Sequence, residues 1–378
     1  MALATRFLST FLFILAGFFI QAQYRVTFII DQLPAYQIEN DAVYLAGSFN
    51  NWNPGDNKLR LTTINNKKGI TIQLQHGTYE YKFTRGSWKT VEVAPDGKSK
   101  QNRSLEVDND TTINIEIPNW ADHFNHPERT STANKNVHLL DSSFYMPQLD
   151  RYRRIWIYLP DSYYHTKKRY PVLYMHDGQN VFDDATSFAG EWGVDEALDS
   201  LGKTVGEAIV VAIDNGADKR MNEYSPYDME KYGEGEGSKY VDFLVKSLKP
   251  VIDKNFRTKK THEHTFIAGS SMGGLISLYA ILKYPKVFGG AGIFSPAIWI
   301  APDIKNDVVK RGKKVKGKIY FYAGKQESDQ MVPDMLAIFE SLHKVSSAKI
   351  ETVIRTDGKH TEANWRSEFP QFFKFLMK

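Results

Sequence analysis

Ser271 lies in the run Gly269-Ser270-Ser271-Met272-Gly273-Gly274. This Gly-x-Ser-x-Gly spacing suits a sharp strand-to-helix turn that exposes a nucleophilic hydroxyl. Upstream, Thr265-Phe266-Ile267-Ala268 is apolar and β-branched, as a buried strand should be. Downstream, Leu275, Ile276, Leu278, Tyr279 and Leu282 recur at helical spacing, and Tyr284-Pro285 closes the element. The flanking glycines remove Cβ atoms that would clash where strand and helix meet. They also leave the Met272 N–H as a candidate donor to an oxyanion.

A serine hydroxyl attacks a carbonyl only when a base takes its proton and an acid orients that base. Behind a turn of this kind, the acid and then the histidine follow the serine in the chain. His360, in Asp357-Gly358-Lys359-His360-Thr361, lies after an apolar strand ending near Ile354 and before the last helix. It is the expected base. The other downstream histidine, His343, falls in a helical stretch. For the acid, the strand Lys318 to Tyr322 runs into Ala323-Gly324-Lys325-Gln326-Glu327-Ser328-Asp329. Glu327 is the first choice and Asp329 the alternative, and spacing alone does not separate them.

The second oxyanion donor should come from the loop after an early central strand. Tyr174-Met175-His176-Asp177-Gly178-Gln179-Asn180 supplies it, with Gly178 permitting a sharp turn and Gln179 offering its N–H. His176 and Asp177 precede the serine and share that loop, so they are expected to shape it. His262-Glu263-His264 would place two imidazoles on one strand face, but no third ligand is near in sequence, and neither a metal nor a cofactor is expected.

The elements that must carry these residues follow two grammars. From Tyr24 to Pro118, short strands (Val26 to Ile30, Ala42 to Ala46, Ile70 to Leu74, Thr78 to Phe83, Thr111 to Ile117) are punctuated by turn signals such as Asn53-Pro54-Gly55-Asp56. This predicts a small all-β sandwich over residues 24–118. Residues 119–136 are polar and aperiodic and read as a linker. Over 137–378 strands alternate with helices, which predicts a mostly parallel sheet covered on both faces. Ligands bind such sheets at the carboxyl ends of the strands, where Ser271 falls.

Composition narrows the function. The chain has 378 residues, 42% hydrophobic and 24% charged, with a net charge of +4 and no cysteine. Disulfides, a thiolate nucleophile and thiolate metal sites are excluded. The basic residues are scattered, so no nucleic-acid partner is expected. Arg6 followed by the apolar run Phe7 to Ile20 and Ile20-Gln21-Ala22 reads as a signal peptide, residues 1–22. The run is too short to span a bilayer. The expected location is therefore periplasmic or extracellular, with no stable membrane insertion after cleavage.

With these residues in place, the part over 137–378 resembles the putative esterase family of esterase D, enterochelin esterase and the feruloyl and acetylxylan esterases. Tyr174 to Asn180, Trp192-Gly193-Val194-Asp195-Glu196-Ala197-Leu198, Arg220 with Glu223-Tyr224, the Ser271 turn, Ser295-Pro296-Ala297-Ile298-Trp299 and the His360 loop carry the likeness. The resemblance implies an α/β-hydrolase fold, a Ser-acid-His triad and no cofactor. Its Gly-x-x-acid position matches Glu327, which ranks that residue above Asp329. Trp192, Arg220 and Trp299 become the expected substrate contacts, beside the loop from Gly216 to Gly237.

The N-terminal part is similar to glycogen-binding and isoamylase N-terminal modules, through Val43-Tyr44-Leu45-Ala46-Gly47-Ser48-Phe49-Asn50-Asn51-Trp52 and Gly77-Thr78-Tyr79-Glu80-Tyr81-Lys82-Phe83. That similarity implies a glycan surface of Trp52, Trp88 and Lys82; in the opposing reading Trp52 packs in the core. The expected activity is ester hydrolysis on polysaccharide, of feruloyl or acetyl type. The alternatives are hydrolysis of a catechol siderophore ester and, in another class, glycan binding without catalysis. Oligomeric state is left open.

Overall fold

The structure is a computed structural model that describes residues 23–37, 41–50, 52–124 and 129–378. The expected signal peptide lies outside the described residues. The chain divides into two compact units, Met1–His126 and Pro127–Lys378. Among the described residues, no helix is long and apolar enough to cross a membrane.

In the first unit, alternation builds the core. Along Gln23–Gln32, Val26, Phe28 and Ile30 point inward while their neighbours stay partly exposed. This strand pairs antiparallel with Lys67–Gln75 and parallel with Thr111–Glu116, and Thr62–Ile64 completes the sheet. A second sheet holds Tyr44–Gly47, Gly77–Thr84 and Arg103–Val107. Leu45, Phe83 and Val107 meet Val26, Phe28 and Ile115 in one core, so the unit is a small β-sandwich. Asn119 and Trp120, read from sequence as the start of a linker, pair with Val93 and Glu92. Trp120 is fully buried.

The second unit is built on an eight-stranded sheet. Its order is Val137–Met146, Arg151–Tyr158, Ile209–Ile213, Val172–His176, Thr265–Ser270, Gly290–Phe294, Lys318–Gly324 and Lys349–Arg355. The first two strands join by antiparallel pairing and the remaining six are parallel. Alternate residues feed two cores: Val172 and Tyr174 pack with the helix Met272–Lys283, while Leu173 and Met175 pack with the helix Glu362–Met377. Both faces are therefore covered, which is why the central strands are continuously buried. From Val172–His176 the chain steps to Ile209–Ile213 on one side and later to Thr265–Ser270 on the other. Between those strands the order reverses, and their carboxyl ends open a crevice suited to a ligand.

Candidate active site

Ser271 occupies that crevice. It has φ 57° and ψ −121°, a backbone state that L-residues avoid and that local contacts must enforce. Its N–H donates to Phe294 O at 2.9 Å, and its carbonyl accepts from Leu275 at 3.0 Å and Ala297 at 3.1 Å. The turn is too tight for side chains beside it. A Cβ on Gly274 would lie 2.7 Å from the Phe294 carbonyl oxygen, and one on Gly269 would lie 2.9 Å from the Gly273 backbone. Ser271 Oγ makes no hydrogen bond among the described residues, and nucleophile–base contacts of this kind commonly close only on substrate.

His360 and Glu327 are in contact. His360 Nδ1 lies 2.7 Å from Glu327 Oε2, and the Glu327 carboxylate is 1% exposed. Glu327 Oε1 accepts from Gly324 N–H at 2.6 Å and from Ser295 Oγ at 2.8 Å. Ser295 Oγ in turn accepts from Trp365 Nε1 at 2.9 Å. The carboxylate is fixed from three sides. Holding the proton on Nδ1 leaves the Nε2 lone pair of a neutral imidazole free to act as base. The His360 ring stands edge-on to Trp365 at 5.0 Å. Asp329 is exposed and makes no hydrogen bond or ion pair among the described residues, so of the two carboxylates Glu327 is the one brought to His360. Sequence reasoning gave no role to Ser295, Trp365 or Asn180, although Ser295 and Asn180 lie in two of the runs that carry the family likeness.

The loop facing the turn is held by a buried polar cluster. Asp177 sits at φ 55°, and Arg220 binds its carboxylate through Nε at 2.7 Å and Nη2 at 2.9 Å, with Asn215 Nδ2 at 2.7 Å. Burial pushes the Asp177 carboxyl up, but Arg220 and Asn215 outweigh it and hold it below the ordinary range. Burial drives His176 down to about 3, so it binds a proton too weakly to serve as the base. Its Nδ1 bonds Tyr240 OH at 3.0 Å, and its Nε2 is buried without a partner. Both residues shape the loop, as expected.

Gly178 is obligatory there, since a Cβ would meet the Ile213 backbone at 2.7 Å. The turn's own bonds run from Asn180 N–H to Asp177 and from Val181 N–H to Gly178, leaving the Gln179 N–H outside them. Met272 N–H opens the helix ahead of its first internal bond and is similarly uncommitted. Asn180 ties this loop to the base: its Nδ2 donates to Glu362 Oε1 at 3.2 Å, two residues past His360, and its Oδ1 accepts from Phe188 N–H at 3.1 Å.

Two expected substrate contacts need correction. Trp192 is 4% exposed and packs edge-on to Phe294 at 4.9 Å and tilted on Trp365 at 5.8 Å. It supports the acid's framework from beneath and offers no surface to a substrate. Arg220 has two of its three guanidinium nitrogens committed to Asp177, so it anchors the loop at Asp177 instead of presenting a free cation. Trp299, 49% exposed on the loop after Ser295, remains available. Phe188, 84% exposed, is a second aromatic near the site that sequence reasoning passed over. The His262–His264 segment forms a 3-10 turn at the amino end of the nucleophile strand, opposite Ser271, and is not assembled as a ligand set.

In the β-sandwich, Trp52 and Trp88 stand 6.2 Å apart at 44°. Trp88 is 40% exposed, and Trp52 is held at φ 58° and half-buried, not packed in the core. A bulky residue in that conformation is a true outlier. Lys82 is turned elsewhere, donating its ammonium to the Lys100 carbonyl at 2.6 Å, and is not set over either indole.

A half-buried serine at a strand-turn-helix junction, with a histidine–glutamate pair on a mixed α/β sheet, is the arrangement of the α/β-hydrolase fold. The chain belongs to the family described as "Putative esterase", whose model matches residues 147–376. That membership places it among the carboxylic ester hydrolases. Residues 30–114 match the model of the glycogen recognition site of AMP-activated protein kinase.

The chain is 26% identical to the uncharacterized protein YbbA of Bacillus subtilis over 46% of this chain and 69% of that protein. It is 27% identical to an endo-1,4-beta-xylanase/feruloyl esterase of Xylanibacter ruminicola, over 59% of this chain but only 29% of that one. Among solved structures, the Bacillus cereus BES protein has a TM-score of 0.54 at 19% identity, covering 67% of this chain and 99% of that one. The enterobactin esterase FES of Shigella flexneri has a TM-score of 0.52 at 16% identity, covering 94% and 92%. At these identities the solved structures establish the fold alone.

Proposed function

We propose that the chain is a serine esterase that cleaves feruloyl or acetyl esters on polysaccharide through an acyl-enzyme, and that it acts in the periplasm or outside the cell. The observation that carries the chemistry is the Glu327–His360 contact beside the strained Ser271 turn. In this reading His360 Nε2 takes the Ser271 proton as Oγ bonds to the carbonyl carbon. The negative oxygen then rests on the Met272 and Gln179 N–H groups. Collapse breaks the ester C–O bond, His360 returns the proton to the departing alcohol, and water repeats the sequence to release the acid. Glu327 stabilises the imidazolium formed in each half-reaction.

Support for a glycan-linked substrate comes from the Trp52–Trp88 pair, with Trp88 exposed, and the glycogen-recognition likeness of residues 30–114. The part-length similarity to a xylanase/feruloyl esterase agrees with it. Export rests on the sequence of residues 1–22. The siderophore-ester reading draws on the two-unit likeness to an enterobactin esterase. Purified protein assayed on feruloyl-arabinoxylan, acetyl-xylan, a tri-catecholate lactone and simple aryl esters discriminates these readings. Preference for the lactone over both polymers would replace the polysaccharide assignment, and inertness toward every ester would favour glycan binding alone.

A further inference from the structure

Away from Ser271, the structure gathers a second set of acids that plays no part in that chemistry. Oxygen atoms of Glu191, Asp195 and Glu196 all lie within 4.8 Å of one another. Glu191 is 6% and Asp195 0% exposed, while Glu196 is open to solvent. The partners present do not satisfy them. Arg366 reaches Glu191 Oε1 at 3.3 Å and Glu196 Oε1 at 3.9 Å, the Thr132 side chain hydrogen-bonds Glu191, and Asn134 N–H donates to Asp195 Oδ2 at 2.9 Å. Glu191 Oε2 and Asp195 Oδ1 remain buried with no hydrogen-bond partner. A buried carboxylate oxygen left unpaired is costly, so such groups are normally paired or bound to a cation.

Charge indicates the missing partner. Three carboxylates against one guanidinium leave two negative charges, which one divalent cation neutralises. Ca²⁺ takes carboxylate oxygens in a flexible shell completed by water, whereas Mg²⁺ demands near-ideal octahedral geometry. We infer that Glu191, Asp195 and Glu196 form a calcium site that fastens the Glu191 segment and the helix Val194–Leu201 to the last helix at Arg366. The rest of a calcium shell would be water entering past Glu196. The sequence reading expected no metal because it looked for histidine and cysteine; this set is carboxylate only. Burial raises the Asp195 carboxyl to about 7, and the neighbouring Glu196 adds to the shift, so a proton shared within the cluster is the rival occupant.

The test is thermal unfolding and calorimetric titration of the full chain after chelation, in EDTA, in millimolar CaCl₂ and in millimolar MgCl₂. With calcium near 100 times its dissociation constant, the midpoint should rise by about 5 °C or more, and by less with magnesium. Glu196→Gln alters an exposed side chain and should fold normally yet lose most of the calcium shift. Asp195→Asn should lose it too. A wild-type midpoint that ignores calcium overturns the site, as does a Glu196→Gln protein that keeps the full shift. If Asp195→Asn raises the midpoint in EDTA and wild type does not respond to calcium, the shared proton is the occupant.

Discussion

Tryptophan takes opposite roles in the two units. In the α/β unit, Trp192 and Trp365 are buried, stack on one another and hold Ser295 and Glu327 in place through ring packing and one indole N–H. In the β-sandwich, Trp88 is exposed and Trp52 half-buried beside it at a positive φ, their rings tilted on one another. The same side chain therefore serves as scaffold in one place, while in the other it is left partly open to solvent, where we propose it acts as a stacking platform. Burial decides between them, and burial is what a residue name does not disclose.

The contrast breaks most sharply at Trp192. Trp192→Ala should cost about 3–5 kcal/mol of stability by opening a cavity against Phe294 and Trp365, measured by denaturant unfolding. A loss under 1 kcal/mol would mean the ring is not part of the framework. The polar part of the same framework should show in acid. His176 ionises in the unfolded chain near 6.5 but only at about 3 when folded, because burial disfavours its charge. The unfolded chain thus binds more protons between those values. Stability should fall by a few kcal/mol as pH drops from about 6.5 toward 3. Asp177, held below its ordinary range, adds a loss at the acid end as it protonates. His176→Phe should flatten the upper part of that profile, and an unchanged slope would contradict the buried neutral imidazole.

Smaller effects sharpen the comparison. Trp365→Phe keeps the ring but removes the donor to Ser295, so kcat should fall about tenfold with KM little changed. Glu362→Gln, which weakens the acceptor for Asn180, should lower kcat by a lesser factor. Smallest of all, Trp88→Ala should move stability by no more than about 0.5 kcal/mol. It should still weaken action on polymer while sparing aryl esters, because a tethered site acts through local concentration. Equal losses on both substrates would deny the platform.

The comparison also marks what the sequence could disclose. The Ser271 turn was legible because strand, turn and helix lie in consecutive residues with short-range rules. His360 was legible from chain order. Glu327 and Asp329 share one loop, and only the donors aimed at Glu327 from Gly324 and Ser295, the latter remote in sequence, separate them. Trp192 and Arg220 were misplaced for a related reason: their types suit a substrate surface, but packing put one under the site and an ion pair spent the other. The edge strand Val137–Met146 went unread because its register shifts at Asp141 and its exposed residues break the alternation. Trp120 looked like linker because its partner strand, Glu92–Val93, is only two residues long.

The central claim is that Ser271 is a nucleophile driven by His360 and Glu327. Incubating the protein with an aryl phosphonofluoridate and following intact mass tests it directly. One adduct per chain should form on Ser271, vanish in Ser271→Ala, slow by orders of magnitude in His360→Ala and Glu327→Gln, and proceed at the wild-type rate in Asp329→Asn. Labelling that persists in Ser271→Ala, or that slows more in Asp329→Asn than in Glu327→Gln, would contradict the account.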